Sequence, residues 1–188
     1  MKYQKQLTIL LTVSVVLFAF IIMVASAQEA TPTPSDYVDL QFSEIRGLSE
    51  EQITGYRTGA GMGFALPAEL NGYPGPRHVL DMANELALTD EQLTEIQALY
   101  DAMLPQAIAL GEQILTQEES LELAFRDGTI TDDLLQSSLT ESARLEGELR
   151  YVHLSTHLAT IDILTSHQVQ QYNQMRGYDM PEHSGHGN

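Results

Sequence analysis

Apolar residues recur three or four positions apart along much of the second half of the chain. One such series is Leu93, Ile96, Tyr100, Met103, Ala107, Leu110 and Ile114. This spacing places the apolar side chains on one face of an α-helix. The pattern therefore predicts a long helix over about 90–126. Pro105 lies inside it and is expected to kink it, because proline removes one backbone hydrogen bond and crowds the preceding turn.

Turn residues divide the remaining chain into further helices. The stretch "RDGT" at 126–129 predicts a sharp turn with Gly128 as the helix stop, and a second long helix is predicted over about 132–163. Shorter helices are predicted at about 49–57, 77–87 and 166–176. No stretch predicts a strand. We therefore expect an all-α fold, an antiparallel hairpin of two long helices with short flanking helices. A dimer is expected because one hairpin has a limited core.

A five-residue phrase recurs at three of the predicted helix starts. It is written "LSEEQ" at 48–52, "LTDEQ" at 88–92 and "LTSHQ" at 164–168. In each copy Ser or Thr stands three residues before Gln, which is the pattern of a capping box, and apolar residues flank the cap as a hydrophobic staple. The phrase is therefore predicted to mark helix starts and not to form a site.

The N-terminal residues 1–27 have the features of a signal peptide. Lys2 and Lys5 precede an apolar run over 7–24, and "ASA" at 25–27 fits the cleavage pattern. An uncleaved membrane anchor is the alternative, since a run of this length is at the lower limit for crossing a bilayer. Export to the periplasm or another extracytoplasmic compartment is expected in both cases.

Composition divides the rest of the chain into three segments. Residues 28–75 are predicted to be a flexible arm with one short helix, and residues 76–178 the helical-hairpin domain. Residues 179–188 are predicted to be a disordered tail. Its His183 and His186 either bind Cu²⁺, Ni²⁺ or Zn²⁺ weakly or belong to a solvated terminus.

Charge and cysteine content narrow the possible partners. The chain has no cysteine, which excludes disulfides and thiolate metal sites. Both lysines lie in the first 27 residues, so the remainder carries 7 arginines against 26 acidic residues, a formal charge of −19. This charge disfavours nucleic acid and anionic lipid and favours cations or basic protein segments. It is equally typical of a solvated surface that keeps an exported protein soluble.

The strongest candidate chemistry lies in "RYVHLSTHL" at 150–158. His153 and His157 are four residues apart, so both imidazoles share one helix face and can hold one metal ion. Apolar residues flank this face on both sides, which predicts that the histidines point inward. The alternative is a hydrogen-bonded network with Glu146 and Arg150 that fixes the helix register.

Other parts of the chain offer weaker candidates. His78 and Met82 are also four residues apart, although a methionine is more often core packing. The hairpin turn is expected to set Met103 and Gln106 roughly opposite the two histidines of the second long helix. There is no nucleophile with a base, no phosphate-binding loop and no H-E-x-x-H motif, so the protein is not expected to be an enzyme.

The two L-T-x-x-Q phrases at 88–92 and 164–168 flank a long helical hairpin behind a signal peptide. In this the chain resembles the LTxxQ family of periplasmic proteins, which includes Spy, CpxP, ZraP and CnrX. The resemblance covers about residues 76–178. It implies an all-α, dimeric protein of envelope stress or heavy-metal response. Members act as ATP-independent chaperones, as regulators of a sensor kinase, or as metal-binding proteins.

The metal-sensing members also suggest a ligand set. By resemblance to them, His78 and His153 match ligand histidines, while Met82 and His157 stand where those members have His and Met. Their glutamate ligand has no clean match, and Glu95 is nearest. The resulting expectation is a periplasmic metal-binding protein that takes Zn²⁺, Cu²⁺ or Ni²⁺. The alternative is a chaperone for unfolded clients or an adaptor for a membrane sensor, although Spy has a basic cradle and this chain is acidic.

Overall fold

A computed structural model describes residues 33–178, and this part of the chain is helical without β-strands. A short 3₁₀ helix, Val38–Phe42, comes first. It is followed by α1 (Glu50–Thr58), α2 (Leu66–Glu69), α3 (Pro76–Asp81), α4 (Asp90–Arg126), α5 (Asp132–Ile163) and α6 (Ser166–Arg176). The predicted all-α fold is confirmed. The predicted signal peptide and histidine-containing tail lie outside the described residues.

The two long helices α4 and α5 pack against each other as an antiparallel pair. Near the turn, the side-chain amide of Gln117 donates to the carbonyl of Ser138, and at the other end Gln92 donates to the carbonyl of Ile163. Gly128, with φ of 67°, ends the first helix as predicted. The helix α4 runs unbroken through Pro105, and a bend at that residue stays a prediction. Among the described residues, no helix is long and apolar enough to cross a membrane.

All three repeated phrases form complete capping boxes. In each, the Ser or Thr side chain accepts from the backbone N–H of the glutamine, and the glutamine side chain accepts from the backbone N–H of the cap. For Thr89 and Gln92 both bonds are 3.1 Å long. A cap of this kind contributes about 1 kcal/mol to the stability of the helix. The phrases therefore explain why α1, α4 and α6 begin where they do.

The helix α3 is shorter than the sequence predicts. It ends at Asp81, and the chain continues in turns as far as Ala87, which has φ of 47°. The expected C-terminal end at residue 87 is therefore wrong. The turns bring Leu86 into the core, and its carbonyl accepts a hydrogen bond from the Gln168 side chain. Contacts with α6 thus replace the last helical turn that local propensity favours.

Within residues 33–178 most of the buried apolar side chains form two clusters. The first joins arm residues to the hairpin and contains Ile45, Ile53, Tyr56, Ala107, Ile114, Leu115, Leu145 and Leu149. The second lies at the open end of the hairpin and contains Val79, Leu86, Ile96, Leu164 and Tyr172. Burial of one such side chain stabilises the fold by about 1.5–3 kcal/mol. The arm from Ile45 onward is therefore packed onto the hairpin.

Candidate functional site

The buried face of α5 carries the two histidines, as the apolar pattern predicts. His153 is 4% exposed and His157 is 9% exposed. They follow Leu149 on the same face and precede Thr160, which is fully buried. Groups of the arm, between residues 64 and 75, contact both rings. The helix fixes the two imidazoles and the arm covers them.

The ring of His153 has a polar atom with no partner. Its Nε2 is buried and makes no hydrogen bond among the described residues. The ring stacks on Phe64 with a centroid distance of 6.2 Å and an angle of 8° between the planes. Burial lowers the pKa of His153, and repulsion by a charged His157 would lower the pKa further. The ring is therefore neutral at neutral pH, and the neutral imidazole is the form that binds metal ions.

The ring of His157 is fixed by the backbone of the arm. Its Nδ1 lies 2.7 Å from the carbonyl oxygen of Tyr73, so Nδ1–H donates and Nε2 keeps a lone pair. Metal-binding histidines typically donate their other ring N–H in this way. The ring lies against Gly75, where an added Cβ would stand 2.8 Å from both Cε1 and Nε2. Only glycine fits at this position without displacing the ring.

A buried carboxylate, Glu69, lies beside the histidine pair. Its Oε2 is 3.8 Å from Nδ1 of His157. The same carboxylate accepts hydrogen bonds from the hydroxyls of Tyr172 and Tyr178, and the Nε of Arg176 lies 3.4 Å from it. Burial raises the pKa of Tyr172 strongly, and the bond to Glu69 raises it further. Through Glu69 the site is connected to α6 and to the residues after it.

Sequence reasoning missed Glu69, because it placed no helix between 59 and 75. The short helix α2 has a proline in its first turn, Pro67, which is a favoured place for proline in a helix. That proline in "ALPAEL" was the available signal. The burial of Glu69 depends on α6, more than 100 residues away, which no local pattern indicates.

The other two predicted ligands, His78 and Met82, come from α3 and from the residue directly after it, and the Glu69 carboxylate beside His157 also acts on the pKa of His78. His78 is on α3, where its side chain is 46% exposed and its Nδ1 is 3.9 Å from Asp81. Partial burial and the nearby Arg176 lower the pKa of His78. Met82 comes directly after α3 and packs against the second core cluster. No described hydrogen bond or ion pair joins either residue to the histidine pair.

The expected network of Glu146, Arg150 and the histidines does not form. Glu146 and Arg150 are exposed, and the described partners of His157 are instead Tyr73 and Glu69.

Met103 and Gln106 line a groove of about 260 Å³ between α4 and α5, together with Val152 and Thr156. They therefore lie at the height of His153 and His157 on α5, as expected, although neither histidine lines this groove. Within residues 33–178, no three His, Asp or Glu side chains converge on one point. Nε2 of His153 and Nε2 of His157 have no described hydrogen bond.

We compared the chain with models of known protein families, with curated proteins and with solved structures, and none of them matches it. The function proposed for this chain therefore rests on the chemistry of the described residues and on the resemblance carried by the L-T-x-x-Q phrases.

Proposed function

We propose that this protein binds a divalent transition-metal ion through His153 and His157, in an extracytoplasmic response to heavy metals or envelope stress. The observation that carries the proposal is the buried Nε2 of His153, which makes no hydrogen bond among the described residues. Leaving a buried polar atom unpaired costs about 1–3 kcal/mol. Coordination of an ion by that nitrogen would offset this cost.

Three further features support a metal ion as the ligand. Burial keeps His153 neutral, and the carbonyl of Tyr73 selects the tautomer of His157 that leaves Nε2 free. Imidazole nitrogens suit Zn²⁺, Cu²⁺ and Ni²⁺. The excess of acidic residues raises the local concentration of cations. The repeated phrases add the resemblance to a family that includes metal-binding members.

Isothermal titration calorimetry with Zn²⁺, Ni²⁺ and Cu²⁺ tests this proposal. The variants are His153→Gln and, as a matched control, His167→Gln, since His167 is exposed in the first turn of α6. A double variant with His183→Ala and His186→Ala controls for the tail. We expect His153→Gln to weaken binding more than about tenfold and the controls to retain it. Absence of any binding heat that depends on His153 would overturn the proposal.

The pH dependence of affinity gives a second criterion. A ligating imidazole must be unprotonated, so affinity is expected to fall as the pH drops below about 6.5. An affinity that stays constant between about pH 7.5 and pH 5.5 would exclude histidine ligands.

A chaperone or adaptor is the second candidate function, and apolar side chains exposed near the hairpin turn favour it. Phe125 is 56% exposed, and Leu134 and Leu139 are also exposed. Residues 112–148 around them contain ten acidic residues and two arginines. Such a surface suits basic, apolar segments of unfolded or partner proteins.

An aggregation assay with a basic client separates the two functions. Suppression that survives a chelator and His153→Gln, but is lost in Phe125→Ser, would favour the chaperone. The homodimer expected from the limited core stays a prediction. Sedimentation equilibrium of the same samples measures the molecular mass that decides it.

A further inference from the structure

The histidine site is closed on the side of the arm. Nε2 of His153 is out of contact with solvent, and Tyr73 and Gly75 cover the ring of His157. An ion can therefore reach Nε2 of His153 only if part of the cover moves. The covering residues differ in how firmly they are held.

Most of the cover is held in place. Glu69 is fixed by Tyr172, Tyr178 and Arg176. The segment from Pro74 to Pro76 is buried and includes Gly75, which packs on His157. These parts are anchored to both α5 and α6, so their displacement would break several buried contacts at once.

Phe64 is held less firmly than the rest. It packs against the first core cluster but is only half-buried, and the three residues before it, 61–63, are exposed. Backbone hydrogen bonds within the arm secure the turn, from Ala60 N–H to Gly55 and from Phe64 N–H to Gly61. Segments with exposed backbone bonds and few buried contacts open at the lowest free energy.

We propose that Phe64 is the gate of the histidine site and that the turn at residues 60–65 opens to admit the ion. An ion binds the Nε2 lone pair in the plane of the imidazole, and Phe64 stacks on the face of that ring. Swinging Phe64 away opens the space beside His153 through which the ion would reach Nε2. Phe64 has no ligand atom, so it acts on the path of the ion and not on its coordination. This inference rests on the proposed function and specifies how its site is regulated.

A gate changes rates and leaves the equilibrium nearly unchanged. Opening breaks the stack of Phe64 on His153, and closing restores it whether the ion enters or leaves. Removal of the aromatic ring is therefore expected to speed association and dissociation together. The gain is about two- to twelvefold, the equivalent of the ~0.5–1.5 kcal/mol of an aromatic pair.

Stopped-flow measurement on the full chain tests the gate. The probe is Zn²⁺, whose own water exchange is fast, with a chromophoric chelator to follow release. Phe64→Leu keeps apolar packing against the first core cluster while removing the ring, and Phe64→Ala removes both. Phe42→Ala is the matched control, because Phe42 is 80% exposed in the 3₁₀ helix. Circular dichroism and unfolding midpoints verify that each variant is folded.

The expected result is faster association and dissociation in both Phe64 variants, with a dissociation constant within about twofold of wild type and an unchanged control. If the Phe64 variants bind Zn²⁺ and the wild-type protein does not, that result would also support the gate. Unchanged rates in variants that bind Zn²⁺, or a changed affinity at an unchanged association rate, would overturn the gate and leave the metal function standing. Failure of every variant to bind Zn²⁺ through His153 would overturn both.

Discussion

Gln92 and Gln168 hydrogen-bond to each other through their side-chain amides, at 2.9 Å in both directions. Each glutamine also closes its own capping box. The remaining amide hydrogens go to the carbonyls of Ile163 and Leu86. The repeated phrase therefore starts two helices and also joins those starts at the open end of the hairpin.

This pairing predicts an energetic coupling between the two phrases. In a double-mutant cycle of Gln92→Met and Gln168→Met, we expect a coupling of about 1–2 kcal/mol, because the amides share one buried network. Denaturant unfolding measures it. Gln52→Met is the control, since Gln52 is exposed and closes a capping box alone. Strictly additive losses would show that the amide pair contributes nothing beyond the caps.

The docking of α1 on α4 depends on a glycine. A Cβ at Gly111 would overlap the backbone carbonyl of Tyr56, whereas Gly147 on α5 has open space around it. Gly111→Ala is expected to lower the free energy of unfolding by about 1–3 kcal/mol. Gly147→Ala should raise it by up to about 1 kcal/mol, through helix propensity. Equal effects of the two substitutions would contradict the close approach of the arm.

The buried carboxylate predicts a cost for removing its hydroxyl partner. Tyr172→Phe leaves Glu69 with one fewer donor and should destabilise the fold by about 1–3 kcal/mol. Tyr151→Phe is the matched control, because Tyr151 is 71% exposed, and little change is expected there. Because burial and Glu69 raise the pKa of Tyr172, ultraviolet titration should show at least one tyrosine that ionises only on alkaline unfolding. A normal titration of every tyrosine would refute the buried contact.

Acid should weaken the fold through His153. Its pKa is lowered in the folded state, so the unfolded chain binds the proton more readily. The stability contributed by the neutral ring is complete above about pH 6.5 and declines as the pH falls toward the folded-state pKa.

Unfolding curves at a series of pH values measure this dependence. His153→Gln should flatten it. His78→Gln should flatten it as well, because the pKa of His78 is also lowered. A wild-type slope that persists in His153→Gln would place the proton uptake elsewhere.

Local sequence patterns predict most of the helices because the determinants are local. The expected bounds 90–126, 132–163 and 166–176 match α4, α5 and α6. Caps and left-handed glycines such as Gly128 act within a few residues. The short helix α2 and the end of α3 were missed because contacts with distant helices determine them.

In the candidate site, too, the sequence predicts the local features and misses the contacts between residues far apart in the chain. Periodicity on one helix predicts that His153 and His157 point inward. Their partners Phe64 and Tyr73 lie more than 80 residues earlier and share no pattern with them. The pairing of Gln92 with Gln168 was missed for the same reason, although each capping box was predicted.

Coordination by the two inward-facing imidazoles can be observed atom by atom with nitrogen-15 NMR of the histidine rings during titration with Zn²⁺. We expect the Nε2 resonances of His153 and His157 to shift on coordination. Nδ1–H of His157 keeps its bond to Tyr73, so its proton should stay protected from exchange. Shifts confined to His78, His167, His183 and His186, with both Nε2 resonances unmoved at saturating Zn²⁺, would contradict a metal site on α5.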